Sequence, residues 1–332
     1  MLVAGAGSWG TALAILLARN GVDVLLWGRD TGRLAGMADR RVNADFLPGI
    51  AFPPSLAIET DLHRALDRSR DVLIAVPTTG FASVLRLIAA HDSRDLRLAW
   101  ATKGFDPGKG RLLHEAVRDE LQGAAAMAVI SGPTFAREVA RGLPTAVTVA
   151  GTDRTFCEFL RARFGNERFR VYTSDDITGV EVGGAVKNVL AIAAGIADGL
   201  GFGANSRAAL VTRGLTEITR FGVALGGRRE TFMGLAGLGD LVLTCTDDQS
   251  RNRRFGVALG KGKTVAEAAA STGPVIEGLQ TARELMDMAR ARGIEMPISN
   301  EVYEVLYNGK DPLRAVETLF AREQKAEDGG WR

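Results

Sequence analysis

Lys187 and Asn188 are the strongest candidates for chemistry in this chain, because they form the only strongly polar pair between Val182 and Ile196. That stretch is apolar on every side of a helical pattern, which predicts a buried helix. A buried lysine without a partner loses its proton readily, as a general acid or base near neutral pH must. The alternative is a structural salt bridge from Lys187 to Asp240 or to Glu181.

A second polar cluster follows in another apolar segment. Asp240 and Thr244 precede it, and the aspartate is a candidate partner for the buried lysine. Ser250, Arg251 and Asn252 then read as the start of a helix. Hydroxyl, guanidinium and amide groups beside free backbone N–H donors favour binding of a phosphate monoester. The alternative is a serine cap followed by solvated arginines.

Two strand ends carry further candidates. Lys103 follows the predicted strand Leu96–Thr102 and is followed by glycine, so we expect it to point into a cleft rather than along a solvated face. Gly132 and Thr134 follow the predicted strand Met127–Ser131. Ligands of open α/β sheets bind outside the carboxyl ends of the strands, which places these residues at the mouth of a site. For Lys103, a surface lysine is the alternative.

The chain begins with a glycine motif of the form G-x-G-x-x-G. Gly5, Gly7 and Gly10 lie between the predicted strand Leu2–Ala4 and a helical pattern over Thr11–Asn20. In this context the first glycine permits a tight turn, the second lets backbone approach a pyrophosphate, and the third lets the helix pack closely. The motif predicts dinucleotide binding, and a glycine-rich turn without a ligand is the alternative. Few residues precede Gly5, so the first strand is short and a start further upstream stays open.

The end of the next strand bears on which dinucleotide is bound. After the strand Val22–Trp27 the chain continues with Arg29, and Arg33 follows a turn later. Guanidinium groups there suit the 2′-phosphate of NADPH, whereas NADH favours a carboxylate on its ribose. Asp30 fits better as the cap of the following helix. We therefore expect NADPH to be preferred and NADH to be accepted; merely solvated arginines are the alternative.

Alternating strands and helices occupy the first half of the chain and predict an α/β fold with a doubly wound, mostly parallel Rossmann-type sheet. Residues 46–54 read as a loop. The predicted strands are Leu2–Ala4, Val22–Trp27, Val72–Val76, Leu96–Thr102, Met127–Ser131, Ala146–Ala150 and Phe169–Tyr172. Beyond about residue 174 the patterns are helical. The sequence thus predicts a dinucleotide-binding domain over 1–174 and an all-α substrate-binding and catalytic domain over 175–332.

Composition narrows the classes of function. A net charge of +2 with scattered arginines indicates no basic patch of the kind that binds nucleic acid. We see no apolar stretch that approaches the length of a membrane span, so we expect no membrane-spanning helix. Two cysteines without a CxxC pair indicate a reduced, cytoplasmic protein. The three histidines, His63, His91 and His114, have no ligand-like spacing, so we expect surface positions and no metal site.

Taken together, these motifs resemble the bacterial biosynthetic type of NAD(P)-dependent glycerol-3-phosphate dehydrogenase. The resemblance spans nearly the whole chain, and the Lys-Asn and Ser-Arg-Asn elements carry it more specifically than the glycine motif. The matching segments are residues 5–14, 101–104, 130–136, 183–188, 201–204, 237–241, 250–256 and 273–278.

The resemblance implies reversible reduction of dihydroxyacetone phosphate to sn-glycerol 3-phosphate, which supplies phospholipid synthesis. It makes Lys187 the acid/base, with Lys103 and Asp240 beside it. Substrate contacts are expected from Lys103, Gly132, Thr134, Lys187, Asn188, Asp240, Thr244, Ser250, Arg251 and Asn252. Cofactor contacts are expected from Gly5, Gly7, Ser8, Trp9, Gly10, Arg29, Lys103, Ala136, Arg251, Val275 and Glu277.

Two other functions compete with this one. A related β-hydroxyacid dehydrogenase, 6-phosphogluconate-like or ketopantoate-like, shares a Rossmann domain followed by helices and can use a lysine. The Ser-Arg-Asn element argues against it. A non-catalytic protein that senses NADPH would not need Lys187, Asp240 and Lys103 together. The partner we expect is therefore a small phosphate substrate, and a homodimer is possible.

Overall fold

The computed structural model describes residues 1–91, 95–121, 126–273 and 275–323, and eight strands form one sheet within them. The strands are β1 (Leu2–Ala4), β2 (Val24–Trp27), β3 (Leu56–Glu59), β4 (Asp71–Ile74), β5 (Arg97–Trp100), β6 (Ala126–Ser131), β7 (Thr145–Gly151) and β8 (Phe169–Ser174). Their order is β3-β2-β1-β4-β5-β6-β7-β8, and only β6 and β7 pair in antiparallel fashion. The predicted doubly wound, mostly parallel sheet is confirmed.

The sequence pattern missed β3, which lies at one edge of the sheet. Only Leu56 of its four residues is buried, so the strand shows no clear apolar alternation. It pairs with β2 in parallel register, Val24 opposite Leu56. The chain reaches β3 through a loop at residues 41–55, which is longer than the loop expected over 46–54.

Helices cover both faces of the sheet, and their apolar sides form its two cores. They are α1 (Ser8–Arg19), α2 (Thr31–Arg40), α3 (Leu62–Arg68), α4 (Thr78–Ala89), α5 (Leu113–Glu120), α6 (Ala136–Arg141) and α7 (Arg154–Phe164).

The second half is helical, as expected, and buries a third core. Its elements are α8 (Ile177–Gly199), α9 (Ala204–Ala224), α10 (Arg229–Phe232), a π-helical turn (Leu235–Gly239), α11 (Asp240–Thr246), α12 (Arg251–Gly260), α13 (Val265–Thr272), α14 (Glu277–Ala291), α15 (Pro297–Tyr307) and α16 (Pro312–Phe320). The π-helical turn and α11 were not expected as helices.

Helix α8 corrects the expectation that no apolar stretch approaches the length of a membrane span. By length and composition it is the one helix of the described chain that could cross a membrane. Its apolar window is wholly buried inside the protein, beneath α9, α11, α12 and α14. Helix α8 is therefore the central core helix of the second half.

Glycines let α8 and α12 cross with their backbones in contact. A Cβ added at Gly195 of α8 would lie 2.1 Å from the Arg253 carbonyl oxygen, and one at Gly256 of α12 would lie 2.1 Å from that of Ile192. Buried Arg253 also pairs with Asp198 at 2.6 Å. This crossing holds the start of α12 beside the middle of α8.

A buried polar cluster fastens α8 to the sheet and corrects the expectation that all three histidines lie on the surface. His114 of α5 is buried, with Nδ1 2.6 Å from Oε2 of Glu181. Glu181 also accepts hydrogen bonds from the His114 backbone N–H and the Trp100 indole N–H, both at 3.0 Å. Burial raises the pKa of Glu181. His114 is inside because the start of α5 faces α8, a contact that single-sequence spacing does not reveal.

Candidate active site

A cleft of about 490 Å³ lies between the carboxyl ends of the central strands and the helices α8, α11 and α12. Most of the residues expected to bind substrate or cofactor line it, although they come from both halves of the chain. They are Ser8, Trp9, Lys103, Thr134, Ala136, Lys187, Asn188, Thr244, Ser250, Arg251, Asn252, Val275 and Glu277.

Asp240 does not line this cleft itself, but it joins two lysines that do. It is the first residue of α11 and is fully buried. Its Oδ1 accepts from Lys187 Nζ at 2.5 Å, and its Oδ2 accepts from Lys103 Nζ at 2.6 Å. Lys187 comes from the middle of α8, whereas Lys103 follows the end of β5. The expected pair of Lys187 with Asp240 is present; Glu181 is bound elsewhere.

Thr244 and Gly132 complete the surroundings of the two lysines. Thr244 Oγ1 accepts from Lys187 Nζ at 2.9 Å and donates to the Asp240 carbonyl at 2.6 Å, one turn back along α11. The Gly132 carbonyl accepts from Lys103 Nζ and from the Thr134 hydroxyl, each at 3.1 Å. Each ammonium group is thus held in place by two oxygen atoms.

Burial changes the acidity of Lys187. Loss of solvent, together with the positive charge of Lys103, lowers the pKa of its ammonium group to about 8, although the negative charge of Asp240 opposes both effects. Lys187 can therefore exchange a proton near neutral pH, as a general acid or base requires.

Two asparagines beside Lys187 belong to a hydrogen-bonded chain. The Gly278 N–H donates to Asn252 Oδ1, and Asn252 Nδ2 donates to Asn188 Oδ1, both at 3.0 Å. Asn188 Nδ2 donates to Glu277 Oε2 at 3.3 Å. Each amide nitrogen keeps a second N–H, because an NH₂ group has two donors. Both residues line the cleft, so these N–H groups are candidates for an anionic ligand.

The Ser-Arg-Asn element lies at the start of α12. Ser250 caps the helix by accepting from the Arg253 N–H at 3.2 Å, so the serine-cap alternative is correct for this hydroxyl. Arg253 pairs with the carboxylates of Asp198 and Asp248, and Arg254 donates to the Asp248 carbonyl. Arg251 differs, because it is exposed, lines the cleft and has no partner within the described ranges. A free guanidinium at a helix start is a favourable site for a phosphate group.

The glycine turn fits a dinucleotide pyrophosphate. Gly5 has a φ of 137°, and a Cβ there would lie 2.5 Å from the Ala75 carbonyl oxygen. A Cβ at Gly10 would lie 1.9 Å from the Gly5 carbonyl oxygen. At Gly7, by contrast, a Cβ would meet nothing within 4 Å, and no side chain caps α1. The turn leaves open space in front of uncapped N–H groups, as a phosphate requires.

The residues after β2 are arranged for the adenosine end. Asp30 caps α2 as expected, accepting from the Arg33 N–H at 2.9 Å. Arg29 is exposed and has no partner among the residues described. Arg33, in contrast, is paired with both Asp30 and Asp45. Of the two arginines considered for a 2′-phosphate, only Arg29 is free.

Several cleft residues were not anticipated from the sequence. They are Asp45, Phe46, Leu47, Arg137, Gln249 and Arg254. The first three come from the loop at residues 41–55. The alternation of strands and helices indicated a loop over 46–54, but it did not indicate that the loop lies at the cleft. Its buried Asn43 was the available signal, because it donates to the Ala6 carbonyl of the glycine turn at 3.1 Å and to Thr11 Oγ1 at 2.8 Å.

Metal-ligating side chains are not clustered in this part of the molecule. Across the described ranges, no group of three or more histidine, cysteine, aspartate or glutamate side chains is arranged to hold a metal ion.

Both halves of the chain match known proteins. A family model for the N-terminus of NAD-dependent glycerol-3-phosphate dehydrogenase matches residues 1–157, and a model for its C-terminus matches residues 176–317. A glycerol-3-phosphate dehydrogenase (NAD(P)+) from Nitrosococcus oceani is 58% identical over 98% of this chain and 95% of its own length. The glycerol-3-phosphate dehydrogenase (NAD(P)+) from Shewanella amazonensis is 55% identical over 98% of this chain and 96% of its own length.

A solved structure agrees with these matches. The crystal structure of glycerol-3-phosphate dehydrogenase from Coxiella burnetii superposes with a TM-score of 0.94, at 48% identity, and the match covers 97% of this chain and 98% of that chain. The chain belongs to the NAD-dependent glycerol-3-phosphate dehydrogenase family.

Proposed function

We propose that this chain reduces dihydroxyacetone phosphate to sn-glycerol 3-phosphate, reversibly, with NADPH or NADH. One observation carries the proposal: Asp240 holds Lys187 and Lys103 side by side in a cleft whose rim offers an unpaired Arg251. Two ammonium groups suit a carbonyl oxygen that gains negative charge, and a free guanidinium suits a phosphate ester.

Lys187 is the proton donor in this reaction. When bound, the nicotinamide supplies a hydride to the ketone carbon. The Lys187 ammonium donates a proton to the carbonyl oxygen, and Lys103 stabilises the negative charge that develops there. In the reverse direction, neutral Lys187 takes the hydroxyl proton. Each direction leaves Lys187 in the protonation state that the opposite direction requires.

Asp240 orients both lysines. Its two carboxylate oxygens are occupied by different ammonium groups, so either lysine that rotates away leaves a buried carboxylate oxygen without its charged partner. Thr244 adds a second acceptor for Lys187. We assign the two lysines and Asp240 to catalysis, and Gly132, Thr134 and Thr244 to the walls that position the substrate.

The phosphate group of the substrate binds at the start of α12. Arg251 supplies charge, Asn188 and Asn252 supply N–H donors, and the capped N-terminus near Ser250 supplies a favourable dipole. Binding at this remote group positions the ketone at the lysines.

The cofactor extends from the glycine turn to the start of α14. The residues that would hold it are Gly5, Gly7, Ser8, Trp9, Gly10, Arg29, Lys103, Ala136, Arg251, Val275 and Glu277. Free Arg29 favours NADPH, and Arg251 bridges substrate and cofactor. We accordingly assign dinucleotide binding to residues 1–174, and substrate binding and catalysis to residues 175–332.

The cellular setting is part of the same proposal. Cys157 and Cys245 are free and buried, which is typical of a reducing cytoplasm. A preference for NADPH favours reduction and hence supply of glycerophospholipid precursors. We propose a homodimer, which light scattering of the purified chain tests directly.

A substrate panel tests the proposed reaction. The purified chain is incubated with NADPH or NADH beside dihydroxyacetone phosphate or ketopantoate, which are reduced, and with NADP+ or NAD+ beside 6-phosphogluconate, which is oxidised. Of the three substrates, we expect only dihydroxyacetone phosphate to be turned over. Turnover with a carboxylate substrate would move the chain to the β-hydroxyacid dehydrogenases, and cofactor binding without any turnover would favour a sensor.

A further inference from the structure

We propose that Asp45 sets the cofactor preference of this chain by withholding Arg33 from the adenosine end of the cleft. The inference rests on the proposed dehydrogenase function and concerns its choice between NADPH and NADH. It rests on the contacts of the Arg33 guanidinium, which belongs to α2. The contacts are with Asp30, the cap of α2, and with Asp45 and Phe46 of the loop at residues 41–55.

The Arg33 guanidinium is held on three sides. Its Nε lies 3.1 Å from Asp45 Oδ2, and its Nη2 lies 3.4 Å from Asp30 Oδ2. Its Cζ lies 5.0 Å from the centroid of the Phe46 ring, within the range of a cation–π contact. The arginine is therefore already engaged before any ligand arrives.

The position of this cluster matters for the ribose of the cofactor. In doubly wound sheets, residues that follow the second strand contact the adenosine ribose, and an arginine there accommodates a 2′-phosphate. Arg29 and Arg33 both follow β2. Asp45 and Phe46 line the cleft. The cluster thus lies where NADPH and NADH differ.

The charges there balance in the free protein. Arg29 and Arg33 contribute two positive charges, and Asp30 and Asp45 contribute two negative ones. A 2′-phosphate gains full attraction from Arg33 only if the arginine leaves Asp45, whereas NADH requires no such change. Asp45 therefore weakens binding of NADPH selectively and brings the two affinities closer together.

Asp45 is the better of the two carboxylates to change. Asp30 also caps α2, so its removal would alter the helix. Asp45 caps none of the helices in the described ranges and is more than half exposed, with a side-chain exposure of 59%. Replacement by asparagine keeps the shape of the side chain and removes only its charge.

Calorimetric titration of the whole chain with NADPH and with NADH tests the proposal without turnover. We expect Asp45→Asn to tighten NADPH binding about two- to fivefold, as suits an exposed ion pair, and to leave the Kd for NADH within about twofold. The gain should shrink at high salt. The ratio of the two Kd values is insensitive to a misfolded fraction, because both are measured on one preparation.

Two further variants test whether Asp45 acts on cofactor binding through Arg33. Asp39→Asn removes an exposed carboxylate from α2 outside the cluster and should leave the ratio unchanged. In an Arg33→Gln background, Asp45→Asn should no longer change the ratio, because Arg33 is the group that it releases. An unchanged ratio in Asp45→Asn, or a gain that persists without Arg33, would overturn the inference.

Failure of the inference is distinct from failure of the proposed function. If the unaltered chain binds both cofactors and reduces dihydroxyacetone phosphate, an unmoved ratio rejects only the role of Asp45. If the unaltered chain binds neither cofactor, the proposed function itself is wrong, and the role of Asp45 falls with it.

Discussion

At the scale of single residues, the site depends on one carboxylate shared by two lysines. The partnership of Lys187 with Asp240 could be predicted, because both are isolated polar residues in apolar segments that need a buried partner. The partnership of Lys103 with the same carboxylate could not be predicted from local patterns, and only the family resemblance implied that the two residues are neighbours. Residues 103 and 240 are far apart in the sequence, and the fold brings the segment after β5 to the start of α11.

The acidity of Lys187 predicts how the two directions depend on pH. Burial lowers its pKa to about 8, so the ammonium form needed for reduction disappears above that value. We expect kcat for reduction to fall above about pH 8, approaching tenfold per pH unit, and kcat for oxidation to rise with pH and level off there. Rate profiles under saturating substrate and cofactor check this. A reduction rate that stays constant to pH 10 would rule out the assignment.

Arg251 predicts a change in substrate affinity rather than in chemistry. Because it is the unpaired guanidinium at the proposed phosphate position, Arg251→Ala should raise the KM for dihydroxyacetone phosphate about 10- to 100-fold. Steady-state kinetics measure this, with Arg229→Ala as a control that removes an exposed arginine from α10. An unchanged KM in Arg251→Ala would show that the phosphate binds elsewhere.

At the scale of elements, the crossing of α8 with α12 sets the distance between the lysines and the phosphate position. Sequence patterns predicted both helices, because long apolar periodicity and a serine cap are strong local signals. They did not predict α11, and they placed the loop over 46–54 rather than over its full extent of 41–55. Helix α11 is short and follows a π-helical turn, while the loop is placed by Asn43, whose partners are distant in sequence.

Gly256→Ala tests the importance of this crossing. A methyl group 2.1 Å from the Ile192 carbonyl oxygen must push the helices apart, so we expect about 1–3 kcal/mol lower stability and a higher KM for the phosphate substrate. Urea denaturation and kinetics measure the two effects. Gly203→Ala is the matched control, because a Cβ there meets nothing within 4 Å. Equal behaviour of the two variants would mean that the crossing tolerates expansion.

At the scale of the whole molecule, Glu181 joins the sheet to the helical half. It collects hydrogen bonds from Trp100 at the end of β5 and from His114 of α5, and it lies on the same helix as Lys187. Glycine and lysine motifs predicted two cooperating halves, but no sequence pattern predicted this junction. A buried glutamate in an apolar helix gives no sign of its partners.

Removal of Glu181 should therefore destabilise the whole chain. Glu181→Ala leaves three buried donors without an acceptor, which predicts a loss of about 3–5 kcal/mol in the free energy of unfolding. Trp100→Phe removes one donor and part of a fully buried ring, and it should cost less, about 1–3 kcal/mol. Urea unfolding followed by circular dichroism compares them. If both variants lose the same small amount, the cluster does not hold the halves together.

The most direct test of the central claim is the turnover of Lys187→Ala with dihydroxyacetone phosphate and NADPH, measured beside its Kd for NADPH. If the lysine held by Asp240 donates the proton, kcat falls by about 10²- to 10⁴-fold while the Kd for the cofactor stays within about twofold. Near-normal turnover in a variant that still binds NADPH would contradict the account, because another group would then have to protonate the carbonyl oxygen.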